Sequence, residues 1–287
     1  MADLLKGLPV AQALSERAAR RAAALAQRGI IPTLAIVRVG ERADDLAYER
    51  GACKRCENTG VLVRKYALPA DCLQEQLLET IANINADDTV HGCLMFRPLP
   101  SHLNEEEACA ALVPTKDVDC ATQGSLFGVF AQRDVGFPPC TAEACVALLK
   151  HYAVELCGAR VTVVGRSLVI GKPVSMMLQA CDSTVTMCHT RTRDLAAACR
   201  EADVLVVAAG HPNTVGVEAV REGQVVIDVG INWNEDEQRL VGDVSFSEVE
   251  PHVSAITPVP GGVGSVTTAV LVKHVVEAAE RICGIDG

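Results

Sequence analysis

The sequence predicts an α/β protein of two α/β domains, the second Rossmann-like with a parallel sheet. Short β-branched apolar runs alternate with segments of helical spacing along most of the chain. The run Ala159-Arg160-Val161-Thr162-Val163-Val164 passes through Gly165-Arg166-Ser167 into Gly171-Lys172-Pro173, which reads as a buried strand, a glycine-bounded turn and a helix start. Two later apolar segments, Asp203 to Ala209 and Gln224 to Val229, end in Gly210 and Gly230, as successive strands of a doubly wound sheet.

In chain order, residues 8 to 29 carry alanine, leucine and arginine at helical spacing, and Gly29 closes that helix. Pro32 to Val39 reads as a strand. Asp44 to Thr59 follows as a helix ended by Gly60, then a strand over Val61 to Ala67, a helix around Leu73 to Asn85 and a strand over Val90 to Phe96. Arg97-Pro98-Leu99-Pro100 stops that strand and exposes its carboxyl end, where open α/β sheets bind ligands. Lys116 to Pro139 has little periodicity and much glycine, so it reads as a loop region joining the halves. Thr141 can cap a helix running to about Tyr152. Pro173 suits the first turn of the next helix, which Ser175 to Ala180 continue, and Thr184 to Cys188 is a strand. The closing helix, about Thr267 to Cys283, is amphipathic. Before it, Thr257-Pro258-Val259-Pro260-Gly261-Gly262-Val263-Gly264 fixes an unusual backbone path that permits close approach to a ligand; a rigid interdomain turn has the same composition.

With 287 residues, 49% hydrophobic, and mean hydropathy +0.22, the chain has ample core for two modest domains. Its formal charge of −10 argues against nucleic acid or an acidic membrane as the main partner. No apolar run reaches the roughly 18 residues of a membrane helix. The N-terminus lacks a charged-then-apolar signal, so a soluble cytoplasmic protein is expected. Most of the 13 cysteines lie singly in apolar segments, as reduced core cysteines do. Cys53 and Cys56 have CxxC spacing, but no second pair or histidine cluster completes a zinc site, and no metal is expected.

A helix N-terminus aimed at the Gly165 turn offers free N–H groups to a phosphate. The glycine spacing is not the usual dinucleotide pattern, and an ordinary βα turn fits it as well. The following strand ends in His189-Thr190-Arg191-Thr192, where an NAD site usually carries an acidic residue for the ribose hydroxyl. Thr190 and Arg191 there, with Arg166 in the first loop, suit the extra phosphate of NADP; a solvated basic turn is the alternative.

Tyr48, Arg97-Pro98-Leu99-Pro100, Lys116-Asp117-Val118-Asp119, Pro139-Cys140-Thr141, the Gly165 and Gly171 motifs, Asp228-Val229-Gly230-Ile231-Asn232, Gly242-Asp243-Val244 and Thr257 to Gly264 occur in a telling order. Over nearly its whole length the sequence resembles the methylenetetrahydrofolate dehydrogenase/cyclohydrolase family. The resemblance implies two domains with a cleft: residues 1–140, joined by a C-terminal helix over 267–287, as the folate-binding catalytic domain, and 141–266 as a Rossmann-like NADP-binding domain. It implies tetrahydrofolate derivatives as substrates, a homodimer, oxidation of methylenetetrahydrofolate to methenyltetrahydrofolate with NADP, and hydrolysis of that product to formyltetrahydrofolate. By matching position, Asp119 would hold the pterin amino group and Tyr48 would stack on or orient the folate ring. Pro98, Leu99, Pro258, Pro260 and Gly261 would border the substrate, and Gly165, Arg166, Ser167, Gly171, Ile231, Gly262 and Gly264 the cofactor.

Departures from the family pattern cluster on the folate side. A lysine four residues after the tyrosine usually assists the cyclohydrolase step; here that position is Ala52, and Lys54 sits about 200° around the helix from it. The glutamine that usually pairs with that lysine is Phe96, a usual serine three residues before the tyrosine is Asp45, and a usual glycine after the second aspartate is Cys120. Hydride transfer needs the two rings held face to face and no protein base. Hydrolysis needs an activated water and a protonated nitrogen, and general acid–base help is worth about 10² to 10⁴ in rate. The expectation is an NADP-dependent dehydrogenase whose cyclohydrolase activity is weak or absent unless Asp45, Arg97 or another group has taken over. Two alternatives stand beside it: a bifunctional enzyme with a rearranged acid–base set, and a folate- or nucleotide-binding protein without turnover.

Overall fold

A two-residue strand, β1 (Asp3–Leu4), precedes helix α1 (Gly7–Ala26) in the computed structural model, which describes residues 1–235 and 238–285. The chain divides into two compact units, one of Met1–Ala11 with Thr141–Thr267, the other of Gln12–Cys140 with the residues from Thr268 onward.

In the second of these, β2 (Thr33–Val39), α2 (Ala43–Thr59), β3 (Leu62–Leu68), α3 (Gln74–Ala86) and β4 (Gly92–Met95) alternate as the sequence reads. The strands form a parallel sheet in the order β3-β2-β4, and β2, in the middle, is buried along its whole length. That explains its nearly unbroken apolar run. Gly60, at φ 75°, closes α2 by donating its N–H to the last-turn carbonyls, a cap that needs the left-handed region. Leu77, Ile81 and Ile84 of α3 pack with Val37, Met95 and Leu112 in one core.

The segment from Lys116 to Pro139 is not the loop its composition suggests. After α4 (Glu105–Ala111) it contains a helix, α5 (Gln123–Ala131), capped by the Thr122 hydroxyl, which accepts the Ser125 N–H at 3.0 Å. The glycines that read as breakers are packing positions. A Cβ on Gly124 would stand 2.7 Å from Pro114 Cγ, and one on Gly128 would collide with the Val135 carbonyl.

The other unit continues with α6 (Cys140–His151), β5 (Arg160–Val164), α7 (Gly171–Gln179), β6 (Thr184–Cys188), α8 (Leu195–Arg200), β7 (Val204–Val207) and β8 (Val225–Asp228). A hairpin of β9 (Asn232–Asn234) and β10 (Arg239–Val241), the short helix α9 (Phe246–Val249), β11 (Ala255–Ile256) and α10 (Thr267–Ile282) complete the chain's elements. The sheet has the order β1-β11-β8-β7-β5-β6 with every pairing parallel. β6 and β7 flank β5, so the winding reverses there and opens a crevice at the carboxyl ends of β5 and β7.

The expected domain limits need correction at the start. Residues 1–11 go with the later unit, because β1 completes the ladder of β11: Asp3 N–H donates to Ser254 O at 2.8 Å and Leu5 N–H to Ile256 O at 2.9 Å. Of the helix expected over 267–287, α10 ends at Ile282, and residues 286–287 lie outside the described ones. Among the described residues no helix is long and apolar enough to cross a membrane.

Candidate functional site

At the switch point, Gly165 follows β5 with φ 136°, and a Cβ there would collide with the Ala208 carbonyl at the end of β7. A Cβ on Gly171 would collide with Gly165 O, so both glycines are demanded by close backbone approach. Ser167 ties this turn to the start of α7: its hydroxyl accepts the N–H groups of Ile170 at 3.1 Å and Gly171 at 3.4 Å. Gly165 N–H in turn donates to Cys188 O at 2.9 Å, which puts the Arg166 loop beside the end of β6. There Thr192 Oγ1 accepts from His189 N at 2.9 Å, and the turn presents Thr190 and Arg191 to solvent. Arg166 and Arg191 are exposed and, among the described residues, neither is paired with a carboxylate. The turn therefore combines close-packed glycines, hydroxyls and unneutralised guanidinium groups, a donor set that fits a phosphorylated dinucleotide.

Further along the sheet, two buried carboxylates organise the loops. Asp228 accepts the N–H groups of Gly230, Asp243 and Val244, each at 3.0 Å. Burial pushes its carboxyl up to about 6 against the pull of those three donors. Asp243 accepts from Ala209 N at 2.6 Å, Gly210 N at 2.8 Å and Asn232 Nδ2 at 2.8 Å. Together they fasten the ends of β7 and β8 to the strand end after β10. A pocket of about 260 Å³ opens beside them, lined by Ile231, Pro258, Pro260, Gly261, Gly262 and Gly264 among others. Thr257 Oγ1 holds the loop by accepting Asp228 N–H at 2.8 Å, and a Cβ on Gly264 would press on Ile231 at 3.3 Å.

The other unit gathers the remaining residues. Asp45, Tyr48 and Ala52 share a face of α2 by their spacing. Tyr48 meets Phe96 edge-on, with ring centroids 5.9 Å apart at 84°. Ala52 is completely buried. Arg42, one turn before Asp45, lies 3.9 Å from its carboxylate and donates to Pro98 O at 3.1 Å, linking α2 to the Arg97-Pro98 turn. Leu99 N–H is held by Glu105 Oε2 at 2.8 Å.

Asp119 follows a segment pinned on both sides. Asp117 accepts from Ala121 N and Thr122 N, each at 2.8 Å, and Asp119 Oδ1 accepts from Cys140 N at 2.9 Å. Burial raises the Asp119 carboxyl above its ordinary value, with the Cys140 hydrogen bonds and the charge of Arg97 pulling the other way. His274 on α10 is fully buried and donates its Nδ1 proton to Val118 O at 2.8 Å, supporting the peptide before Asp119. Nothing in the sequence marks that histidine, or Arg42, as part of the site.

A doubly wound α/β unit with a cationic switch-point crevice defines the dinucleotide-binding class. Residues 5–119 match the tetrahydrofolate dehydrogenase/cyclohydrolase catalytic domain, and residues 139–283 the NAD(P)-binding domain of the same enzymes. The chain belongs to the tetrahydrofolate dehydrogenase/cyclohydrolase family. It is 50% identical over 286 residues to the bifunctional protein FolD of Carboxydothermus hydrogenoformans, covering 99% of this chain and 100% of that one. The crystal structure of the Campylobacter jejuni bifunctional enzyme FolD is similar with a TM-score of 0.94 at 36% identity, covering 98% of this chain and 99% of that one. The Trypanosoma brucei FolD structure, complexed with NADP and an inhibitor, has a TM-score of 0.91 at 35% identity and covers 98% of both chains.

Proposed function

We propose that the chain is a bifunctional enzyme, an NADP-dependent methylenetetrahydrofolate dehydrogenase and methenyltetrahydrofolate cyclohydrolase with a rearranged acid–base set. The observation that carries this reading is the 50% identity, end to end, with a protein named bifunctional. The expectation of weak or absent cyclohydrolase, drawn from Ala52 and Phe96, gives way to the bifunctional alternative on that ground.

NADP, when bound, supplies the hydride acceptor. Gly165, Ser167 and Gly171 would lie against its phosphates, Arg166, Thr190 and Arg191 against the extra phosphate, and Ile231, Gly262 and Gly264 around its reactive ring. On the folate, Asp119 accepts hydrogen bonds from the pterin amino group, and its half-buried setting strengthens them. Tyr48, braced edge-on by Phe96, orients the ring. Pro98, Leu99, Pro258, Pro260 and Gly261 border the substrate. The folate nitrogen lone pair drives the hydride out, so this step asks only for positioning.

Hydrolysis asks for a base. Asp45 takes that role in our reading: it is the buried carboxylate of the first turn of α2, one turn before Tyr48 and 3.9 Å from Arg42. It would receive the proton of the water that attacks the methenyl carbon and return it to the folate ring nitrogen as the bond between that nitrogen and the carbon breaks, with Arg97 orienting the water. A second copy of the chain is the inferred partner, and the exposed Trp233 of β9 offers an apolar contact that sedimentation at micromolar concentration would test.

The deciding assay follows NADPH and methenyltetrahydrofolate separately, with preformed methenyltetrahydrofolate as a second substrate. Hydrolysis above the buffer rate is expected, and Asp45→Asn should lower it by about 10²-fold, with NADPH formation much less affected. Methenyl product that accumulates without hydrolysis would reduce the reading to a dehydrogenase alone.

A further inference from the structure

We propose that His274, on α10, is a positioning residue for Asp119, the carboxylate that holds the pterin amino group. The proposal rests on the folate reading given above. His274 is completely buried, and so are Val270, Leu271, Val275 and Ala278 around it on the helix. An imidazole in such surroundings has lost its water, a cost that an apolar residue at the same place would not carry. What the imidazole supplies is a directed donor. Nδ1 lies 2.8 Å from Val118 O, and since a carbonyl only accepts, Nδ1 carries the proton.

That bond lands on the peptide that carries Asp119. Cys140 grips the same peptide from a second direction: its Sγ donates to Val118 O at 3.4 Å and its N–H to Asp119 Oδ1 at 2.9 Å. Cys140 Sγ is 3.8 Å from His274 Nδ1, so thiol and imidazole converge on one carbonyl. Beyond Asp119 the chain turns through Cys120 at φ 57°, and Asp117 accepts the N–H groups of Ala121 and Thr122, each at 2.8 Å. Local bonds fix the chain after Asp119, whereas the peptide before it is held by a residue 156 positions further along the sequence.

Two features bring the imidazole there and keep it in place. A Cβ on Gly92 of β4 would stand 2.7 Å from Val118 Cγ1 and 3.2 Å from Val275 Cγ2, so the missing side chain lets α10 and the Val118 segment close on the strand. The Phe137 ring then lies against the imidazole, with centroids 4.9 Å apart and a tilt of 33°, and the Arg281 guanidinium sits 4.4 Å from the Phe137 centroid. Arg281 is anchored in turn on Gly136 O at 3.0 Å. A run of contacts therefore joins the exposed Arg281 through Phe137 and His274 to the Asp119 peptide. A carboxylate that must meet an amino group on a planar ring is sensitive to its own placement: an error of about 1 Å can cost about 10²-fold.

The test measures dehydrogenase KM for methylenetetrahydrofolate and for NADP separately in the wild type, His274→Leu, His274→Asn and Arg281→Met. Leucine keeps the packing and removes the donor, whereas the amide nitrogen of asparagine takes nearly the place of Nδ1 and restores it. His274→Leu is expected to raise the folate KM about tenfold with the NADP KM within about twofold of the wild type, and His274→Asn to bring the folate KM back to within about threefold. A merely structural role would act otherwise: fewer folded molecules lower kcat and leave both KM values where they were, and that result overturns the proposal. So does a His274→Asn enzyme no better than His274→Leu. Should both buried variants fail to fold, Arg281→Met decides, because its position is exposed. Loosening the Phe137 stack should raise the folate KM about threefold, and an unchanged value overturns the proposal. A wild type that binds NADP but forms no NADPH from methylenetetrahydrofolate fails the folate reading itself and takes the proposal with it, an outcome distinct from an active wild type whose variants keep its KM values.

Discussion

Cys120 stands at φ 57°, in the left-handed region, immediately after Asp119. The family's usual glycine there is what this backbone asks for, since a Cβ in that region costs about 1 kcal/mol. Cys120→Gly should therefore raise stability by about 0.5 to 1 kcal/mol, read as the shift of a urea midpoint; a loss would mean that the buried thiol contributes more through packing than its backbone costs. Ala52 and Phe96 call for a paired experiment. Ala52 is fully buried and Phe96 braces Tyr48, so Ala52→Lys alone would bury an ammonium without its usual amide partner. Adding Phe96→Gln gives that ammonium an acceptor. The double variant should be more stable than the sum of the single changes by about 1 to 3 kcal/mol, and additivity within about 0.5 kcal/mol would show that the two positions do not communicate.

On α2 the buried Glu49 joins the helix to its sheet. Its carboxylate meets Arg38 Nε of β2 at 3.1 Å and Lys65 Nζ of β3 at 2.7 Å. Burial alone would raise its carboxyl, but the bonds to Lys65 and Arg38 outweigh that and hold it below its ordinary 4.5. A carboxylate with a lowered value in the folded state contributes stability that is present above 4.5 and is lost as pH falls through the folded value. Glu49→Gln would strand the buried Arg38, so at neutral pH it should cost about 3 kcal/mol by chemical denaturation. Its gap to the wild type should narrow as the pH drops below 4.5, and a gap constant from pH 7 to pH 3 would dismiss the ion pairs as its origin.

Across the whole molecule, what the sequence makes legible is what has a local signature. The β-branched runs of β2 and β5, the Gly165 turn and the Thr257 to Gly264 loop each announce themselves within a dozen residues, by periodicity or by backbone demand. The features that escape are those fixed at long range. α5 hides because Gly124 and Gly128, which weaken a helix locally, are required by Pro114 and the Val135 carbonyl. Arg55 reads only as the interior of a CxxC pair until its two hydroxyl partners are seen. β1 is too short to show any period, and its partner strand lies far along the chain at Ala255–Ile256. That last contact makes a whole-chain prediction. Removal of residues 1–5 would delete the Asp3 and Leu5 ladder bonds, uncover the edge of β11 and take the buried Leu5 from its site. These losses sum to about 3 kcal/mol, one apolar side chain and two hydrogen bonds, which corresponds to roughly 10 °C in melting temperature. Gly7 N–H donates to Gly261 O, so the same deletion loosens the anchor of the loop bordering the 260 Å³ pocket. Faster amide exchange in residues 255–264 together with the lower melting temperature is the expected result. An unchanged exchange pattern would place β1 as an ornament on the sheet rather than a support for that loop.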